Sequence, residues 1–348
     1  MSNHTLAVLL STAVLLPAQF TLCAAADSFS VHQSAPALDR WNYPFNPTPG
    51  SRIVASTFGN EAGSALFDNR DGQFIVGFNT GAEVPVGQGA PNYNITACTV
   101  EITVANDFVV EYDRTVDPFT AFLRPDDPAY VEDSDPGQPI ELYGTGFRNG
   151  FSRADWVETS PFTVSGLNAL NPRVRNAFPI VVDAGGAWVD VSNSVRDRWT
   201  PAPFAVGEID GLKPGSLIAA GSVMRFTLDV ARADVQSFLR DSVESGKLRL
   251  TICSLTKVVQ QGGNYPQFYC RENPIVTATG IGDATLSLEG TIGSCGAADL
   301  DCDGIVGAAD LSLLLSAWGM NGAGDLDDDG FVGAADLSLL LAAWGTTA

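Results

Sequence analysis

The sequence predicts a mainly β chain in which a β-sandwich body is followed by a small α-helical module. Three observations carry that expectation. Between residues 51 and 288, short β-branched and aromatic segments recur, bounded by Gly, Pro, Asn and Asp in the manner of regularly punctuated strands. Within that stretch only residues 233–245 show helical spacing, with Val235, Phe238, Leu239 and Val243 on one face and Gly246 as a stop. The chain then closes on one acidic phrase written twice, Asp299-Leu-Asp301-Cys-Asp303-Gly304-Ile305 and Asp325-Leu-Asp327-Asp-Asp329-Gly330-Phe331. Each phrase continues through Val-Gly-Ala-Ala-Asp into Leu-Ser-Leu-Leu-Leu.

Taken in order, residues 1–26 read as a signal peptide. An apolar run at 6–16 is followed by Pro17 and the small-residue pattern Cys23-Ala-Ala-Ala26. The expected location is therefore secreted or extracellular. No later stretch reaches the roughly 20 apolar residues of a spanning helix, so no membrane span is expected. Residues 27–50 are Pro-rich and irregular, and are expected to lie extended over the body. Strands are expected at 52–58, 73–78, 98–104, 178–183 and 223–230. The loop at 124–136 holds Asp126, Asp127, Glu132, Asp133 and Asp135 without any metal-ligand spacing, and reads as solvated. Residues 289–294 are short and Gly-containing, and divide the chain into a body at 27–293 and a module at 294–348.

Charge and residue inventory exclude several functions. A formal charge of −21 opposes binding to nucleic acid or to an anionic membrane surface. Once the leader is removed, His32 is the sole histidine, which argues against a histidine-activated nucleophile or a histidine-rich zinc site. Carboxylates suited to glycosidase chemistry are plentiful, among them Glu101, Glu111, Glu141, Glu158, Glu208 and Glu272, but nothing in the text singles out a pair. An exported chain can oxidise its cysteines. Cys253 to Cys270 and Cys295 to Cys302 are the expected bridges, each weighed against a buried free thiol, and Cys98 is left over. Exposed aromatic faces bind sugar rings by stacking, and Trp41, Tyr43, Tyr93, Trp156, Trp199 and Tyr265 are the candidates, set against ordinary core roles.

The acidic phrases have a sharper meaning. Side-chain oxygens at the first, third, fifth and twelfth positions, a glycine at the sixth and a carbonyl at the seventh are what a twelve-residue calcium loop supplies. Calcium, as two ions, is the expected cofactor. An empty loop would crowd like charges, at a cost of roughly 4 kcal/mol per pair about 4 Å apart, so the module is expected to be partly unfolded without metal. In the helices that follow, Leu311, Leu314, Leu315 and Trp318 form one stripe and Leu337, Leu340, Leu341 and Trp344 another, so the two helices are expected to face each other. Leu313 and Leu339 lie off the stripes and are candidates for a binding face.

This doubled D-x-D-x-D-G-x-V-x-x-x-D-L pattern, with one helix after each loop, resembles a type I dockerin with two EF-hand-like calcium loops, and covers residues 299–345. The resemblance implies that Asp299, Asp301, Asp303 and Asp310 hold the first ion, with Asp325, Asp327, Asp329 and Asp336 around the second and carbonyls from Ile305 and Phe331. It also implies a cohesin-type receptor on a scaffold or cell surface as partner. The partner-reading positions, often Ser-Thr in dockerins, are Ala308-Ala309 and Ala334-Ala335 here. The body bears a fainter likeness to DNRLRE-type jelly-roll modules through Leu66-Phe-Asp68, residues 95–102, Trp188-Val-Asp-Val-Ser and Phe268-Tyr-Cys-Arg-Glu-Asn-Pro274, with Cys270 where those modules carry serine. That likeness implies a jelly-roll-like sandwich contacting extracellular polysaccharide. A polysaccharide-degrading glycoside hydrolase or lyase, and a structural cell-surface protein, stand as alternatives.

Overall fold

Alternation of apolar and polar side chains decides which way each strand faces. The computed structural model describes residues 27–257, 264–293, 296–301, 305–320, 324–327 and 329–346. Its strands are β1 (Asp27–Gln33), β2 (Leu38–Asn42), β3 (Val54–Ser56), β4 (Phe58–Gly59), β5 (Arg70–Phe78), β6 (Tyr93–Thr103) and β7 (Glu141–Phe147). They continue with β8 (Ala177–Val182), β9 (Trp188–Asp190), β10 (Ala205–Val206), β11 (Val223–Thr227), β12 (Leu248–Cys253), β13 (Gln267–Tyr269) and β14 (Thr285–Ile292). Helix α1 (Ala233–Glu244) interrupts the series, α2 (Pro274–Thr279) is a second, six-residue helix in the body where the sequence predicts only one, and α3 (Ala308–Ser316) and α4 (Ala334–Ala342) follow the acidic loops.

The pairings between strands are antiparallel and build two principal sheets. One runs β1-β14-β6-β11; the other has eight strands, with β2-β5-β12-β7-β8-β9 as its main path. Inward residues of both sheets, such as Val100, Ile102 and Leu288 from one and Phe74, Val76 and Leu250 from the other, share one core, as in a β-sandwich. Each such side chain contributes on the order of 1.5–3 kcal/mol relative to exposure. Alternation in β6 slips at Thr96 and Ala97, which are both exposed, because a bulge opposite Glu289 and Gly290 adds a residue there. Helix α1 seats Val235, Phe238, Leu239 and Val243 in the core and stops at Gly246, whose φ of 66° suits glycine, close to the expected bounds.

Several expectations need correction. The Pro-rich stretch at 27–50 contains two strands: β1 pairs with β14, and β2 pairs with β5. Sheet edges recruited these segments, which are short and set in Pro-containing text. The segment at 52–58 splits into β3 and β4, because Thr57 donates its N–H to Pro266 instead of continuing a ladder. The stretch read as a linker is still β14 through Ile292. Cys253 and Cys270 are both free and buried, as is Cys98. Cys253 packs with Tyr143, Val181 and Val191, whereas Cys270 belongs to the central core, so the proposed bridge joins two different packing environments. Cys295 and Cys302, and residues 1–26, lie outside the described residues.

β5 is buried along its whole length. Its outer face is roofed by the segment around Trp156, and its first turn carries ion pairs inside the protein. Arg70 meets Glu141 at 2.7 Å, and Arg175 meets Asp68 at 2.6 Å and Asp71 at 3.3 Å. Burial pushes Asp71 up to about 7 against the pull of Arg175. Burial also pushes Asp39 up to about 8, with the Arg271 N–H opposing and the charges of Glu272 and Glu158 adding to the shift. Both folded values exceed the unfolded one, so the native state keeps protons that the unfolded chain has released. Stability should therefore fall as pH rises from about 4 to 8, by about 1.4 kcal/mol per unit for each proton so held. Calorimetric melting of the full chain in metal-free buffer should give a higher Tm at pH 5 than at pH 8; a flat or opposite trend contradicts this assignment.

Candidate metal centre

At the end of the chain the two repeats build near-copies of one arrangement. The loop leads directly into its helix, and the twelfth residue becomes the third residue of the helix, where a carboxylate can bind free N–H groups. Asp310 Oδ1 accepts the N–H of Leu300 at 2.6 Å and of Asp301 at 3.1 Å, while Oδ2 accepts Gly307 N–H at 2.6 Å. Asp336 repeats this with Leu326, Asp327 and Gly333 at 2.6, 3.2 and 2.6 Å. Each of these side chains fastens both ends of its loop. The Gly333 N–H leads in holding the Asp336 carboxyl below the ordinary range, with the Leu326 and Asp327 N–H groups adding to it.

Two clusters of three carboxylates result. Asp299, Asp301 and Asp310 each bring an oxygen within 4.8 Å of the others, and so do Asp325, Asp327 and Asp336. Lost hydration, and the neighbouring charges of Asp329, Asp336 and Asp325, push Asp327 above its ordinary value. From residue 296 onward the sequence has no lysine or arginine, and Arg240 of helix α1 donates to the Asp301 carbonyl. An all-oxygen, multiply charged donor set of this kind fits calcium or magnesium and not a soft metal. Asp303 lies outside the described residues. Asp329 stands apart from the second cluster: its N–H donates to Asp325 Oδ1 and Asp327 Oδ1, and its own Oδ1 accepts the Phe331 N–H. Ile305 and Phe331 turn exposed side chains outward.

The repeats are also knitted to each other. Val306, at the eighth loop position of the first repeat, bonds through its N–H to Thr346 and through its carbonyl to Gly345, beyond the second helix. Val332 does the same with Met320 and Gly319 beyond the first. A small core of Ala298, Val306, Leu314, Val332 and Leu340 lies between them, with Leu311 and Leu337 partly buried. The expected stripes are narrower than the sequence implied. Leu315, Trp318, Leu341 and Trp344 are between 44% and 52% exposed, because helices of nine residues each bury fully only one leucine. Leu313 and Leu339 are exposed as expected, as are Ala308, Ala309, Ala334 and Ala335.

In the body, the aromatic candidates separate: Tyr93 is buried in the core, and Tyr265 is half-buried 5.1 Å from Phe58. Trp156 is 2% exposed beneath Arg40, whose guanidinium lies 5.2 Å from its ring, so it is core and not a sugar platform. Trp199 is half-buried against Val191 and its neighbours. Trp41 and Tyr43 are half-buried and 4.8 Å apart, and Tyr43 continues to the exposed Phe45 at 5.5 Å, with Arg52 over Trp41. Phe45 was not among the aromatic candidates read from the sequence, although it follows Tyr43 in the same Pro-rich text. Those rings are tilted or edge-on to each other and do not form a flat face.

Of the six glutamates, Glu101 pairs with Arg225, Glu141 with Arg70, and Glu158 and Glu272 with the one Arg271. Glu111 and Glu208 are exposed. His32 lies in β1 against Ser287. Comparison of the chain with protein-family models, with curated proteins and with solved structures returns no match. Among the described residues, no helix is long and apolar enough to cross a membrane.

Proposed function

We propose that the protein is an extracellular adaptor whose C-terminal module orders around two calcium ions and docks, as a type I dockerin does, to a cohesin-type receptor, while the sandwich contacts polysaccharide. The single observation that carries the reading is the pair of equivalent three-carboxylate clusters, each closed by a helix-borne aspartate. When bound, calcium would supply positive charge to these loops. Asp299, Asp301 and Asp310 would hold one ion and Asp325, Asp327 and Asp336 the other. The chain's own contribution is to fix each loop to its helix and leave an apolar surface outside. That surface carries the exposed Leu313 after the first loop and the exposed Leu339 after the second, and these two equivalent positions are the docking faces. Polysaccharide contact is assigned to the half-buried Trp41 and Tyr43 and the exposed Phe45, whose tilted rings offer edges in place of a flat stacking face.

Surface-plasmon measurement of the full chain against an immobilised cohesin module, in calcium and then in chelator, tests the docking. Binding in calcium and none in chelator is expected. Because the two faces are near-copies, either can engage the receptor. Leu313→Asp alone, or Leu339→Asp alone, should change affinity by no more than about tenfold, an effect of roughly 1.4 kcal/mol. The double variant should not bind, and complete loss from one single variant refutes the two-orientation model. A glycan array probed with the full chain tests the body, with Trp41→Ala expected to remove any signal.

A further inference from the structure

We propose that Asp113, Asp117 and Asp135 form a third divalent-cation site, of calcium type, in the body of the protein and separate from the C-terminal loops. Between β6 and β7 the chain runs without regular strands, yet it folds two aspartates inward. Asp113 is 2% exposed and Asp117 6%. With Asp135 they bring one oxygen each to within 4.8 Å of one another. Two further facts point to a missing positive charge. Asp113 Oδ2 and Asp117 Oδ2 are buried and accept no hydrogen bond. Among the described residues, none of the three carboxylates forms an ion pair with an arginine or lysine, Arg114 included.

The protein contains its own contrast. Asp39, Glu158 and Glu272 also converge within 4.8 Å, but there Arg271 fills the space, 2.5 Å from Glu158, 3.0 Å from Glu272 and 3.8 Å from Asp39. Where the Asp113 group stands, no side chain plays that part, and buried carboxylates require a compensating cation or a proton. Carboxylate oxygens alone, without His or Cys, select calcium or magnesium. Thr115 holds the donors in place: its Oγ donates to Asp113 Oδ1 or to Asp135 Oδ2, at 2.8 and 2.9 Å. Asp135 is exposed, so an ion has a path from solvent. Bound there, it would clamp the acidic loop at 124–136, which the sequence presents as merely solvated, onto the segment leaving β6.

The test is equilibrium dialysis of the full chain against radioactive calcium, with folding checked by circular dichroism. Asp113→Asn with Asp117→Asn should lower the number of ions bound by one. Asp310→Ala with Asp336→Ala should remove the C-terminal ions and leave one behind. Asp135→Asn changes only an exposed side chain, and should weaken the remaining ion by about tenfold or more even if the inner pair of substitutions disturbs folding. If the C-terminal loops bind nothing, the unaltered chain should still hold one ion that Asp135→Asn weakens. A C-terminal variant that retains no calcium, or a calcium count and affinity indifferent to changes at Asp113, Asp117 and Asp135, overturns the proposal.

Discussion

Asp310→Ala is expected to abolish calcium binding at the first loop and to release helix α3, with affinity there falling more than about 100-fold, beyond what loss of an outer-sphere partner costs. This one side chain has two duties. As a proposed ligand it brings an oxygen to the Asp299 and Asp301 group; as a fastener it takes N–H groups from Leu300, Asp301 and Gly307. Removing it leaves three donors without their acceptor and two carboxylates facing each other. The second repeat should feel the change as well, because Val306 bonds across to Gly345 and Thr346 and shares a core with Leu340. Calorimetric titration should therefore show both C-terminal calcium events weakened. Asp336→Ala should give the mirror result. Asp310→Asn, which keeps the side chain's size and one carbonyl acceptor, should lose less. As many undiminished binding events in Asp310→Ala as in the unaltered chain would remove this aspartate from the proposed centre.

The second large effect lies in the body. Arg70→Met is expected to destabilise it by about 3–5 kcal/mol, the usual result of stranding one member of a buried pair, and to lower Tm by on the order of 10 °C. Arg70 binds Glu141 through two nitrogens, at 2.7 and 3.1 Å, and also donates to the Val191 carbonyl and the Ser194 hydroxyl. Its guanidinium lies 5.4 Å from the Tyr143 ring. Glu141→Leu alone should be similarly harmful, since it strands the arginine. Combining Arg70→Met with Glu141→Leu should recover a large part of the loss, because two apolar groups need no counter-charge. Chemical denaturation of the three variants gives the coupling directly. Additive losses would mean that the pair is not the unit of stability.

Much of this was readable in the sequence because periodicity is a local property. Helix α1 was placed from Val235, Phe238, Leu239 and Val243, and β8 from its unbroken apolar run. The acidic loops were legible through spacing alone, and three of the four carboxylates expected for the second loop do converge. What escaped depends on distant residues meeting. β1 and β2 arise because β14 and β5 offer them edges. Trp156 sits in Pro- and Gly-bounded text that looks exposed, yet the surrounding segment folds over β5 and buries it. The Asp113, Asp117 and Asp135 group lies on two loops with no common spacing, so only the folded chain brings it together. Cys253 and Cys270 looked like a cross-strand pair, but β12 pairs with β5 and β7 while β13 pairs with β3. The helical stripes are narrower for another reason: each helix is only nine residues long, and Trp318 and Trp344 lie two residues beyond its end.

Hydrogen exchange of the full chain, measured amide by amide in calcium and in chelator, tests the central claim most directly. Amides of α3 and α4, together with Val306 and Val332, should be protected in calcium and should exchange at nearly unprotected rates in chelator. The sandwich strands β5, β12 and β14 should keep their protection in both. Equal protection of α3 and α4 with and without the ion would mean that the module folds unaided, and the account of a calcium-ordered docking surface would be wrong.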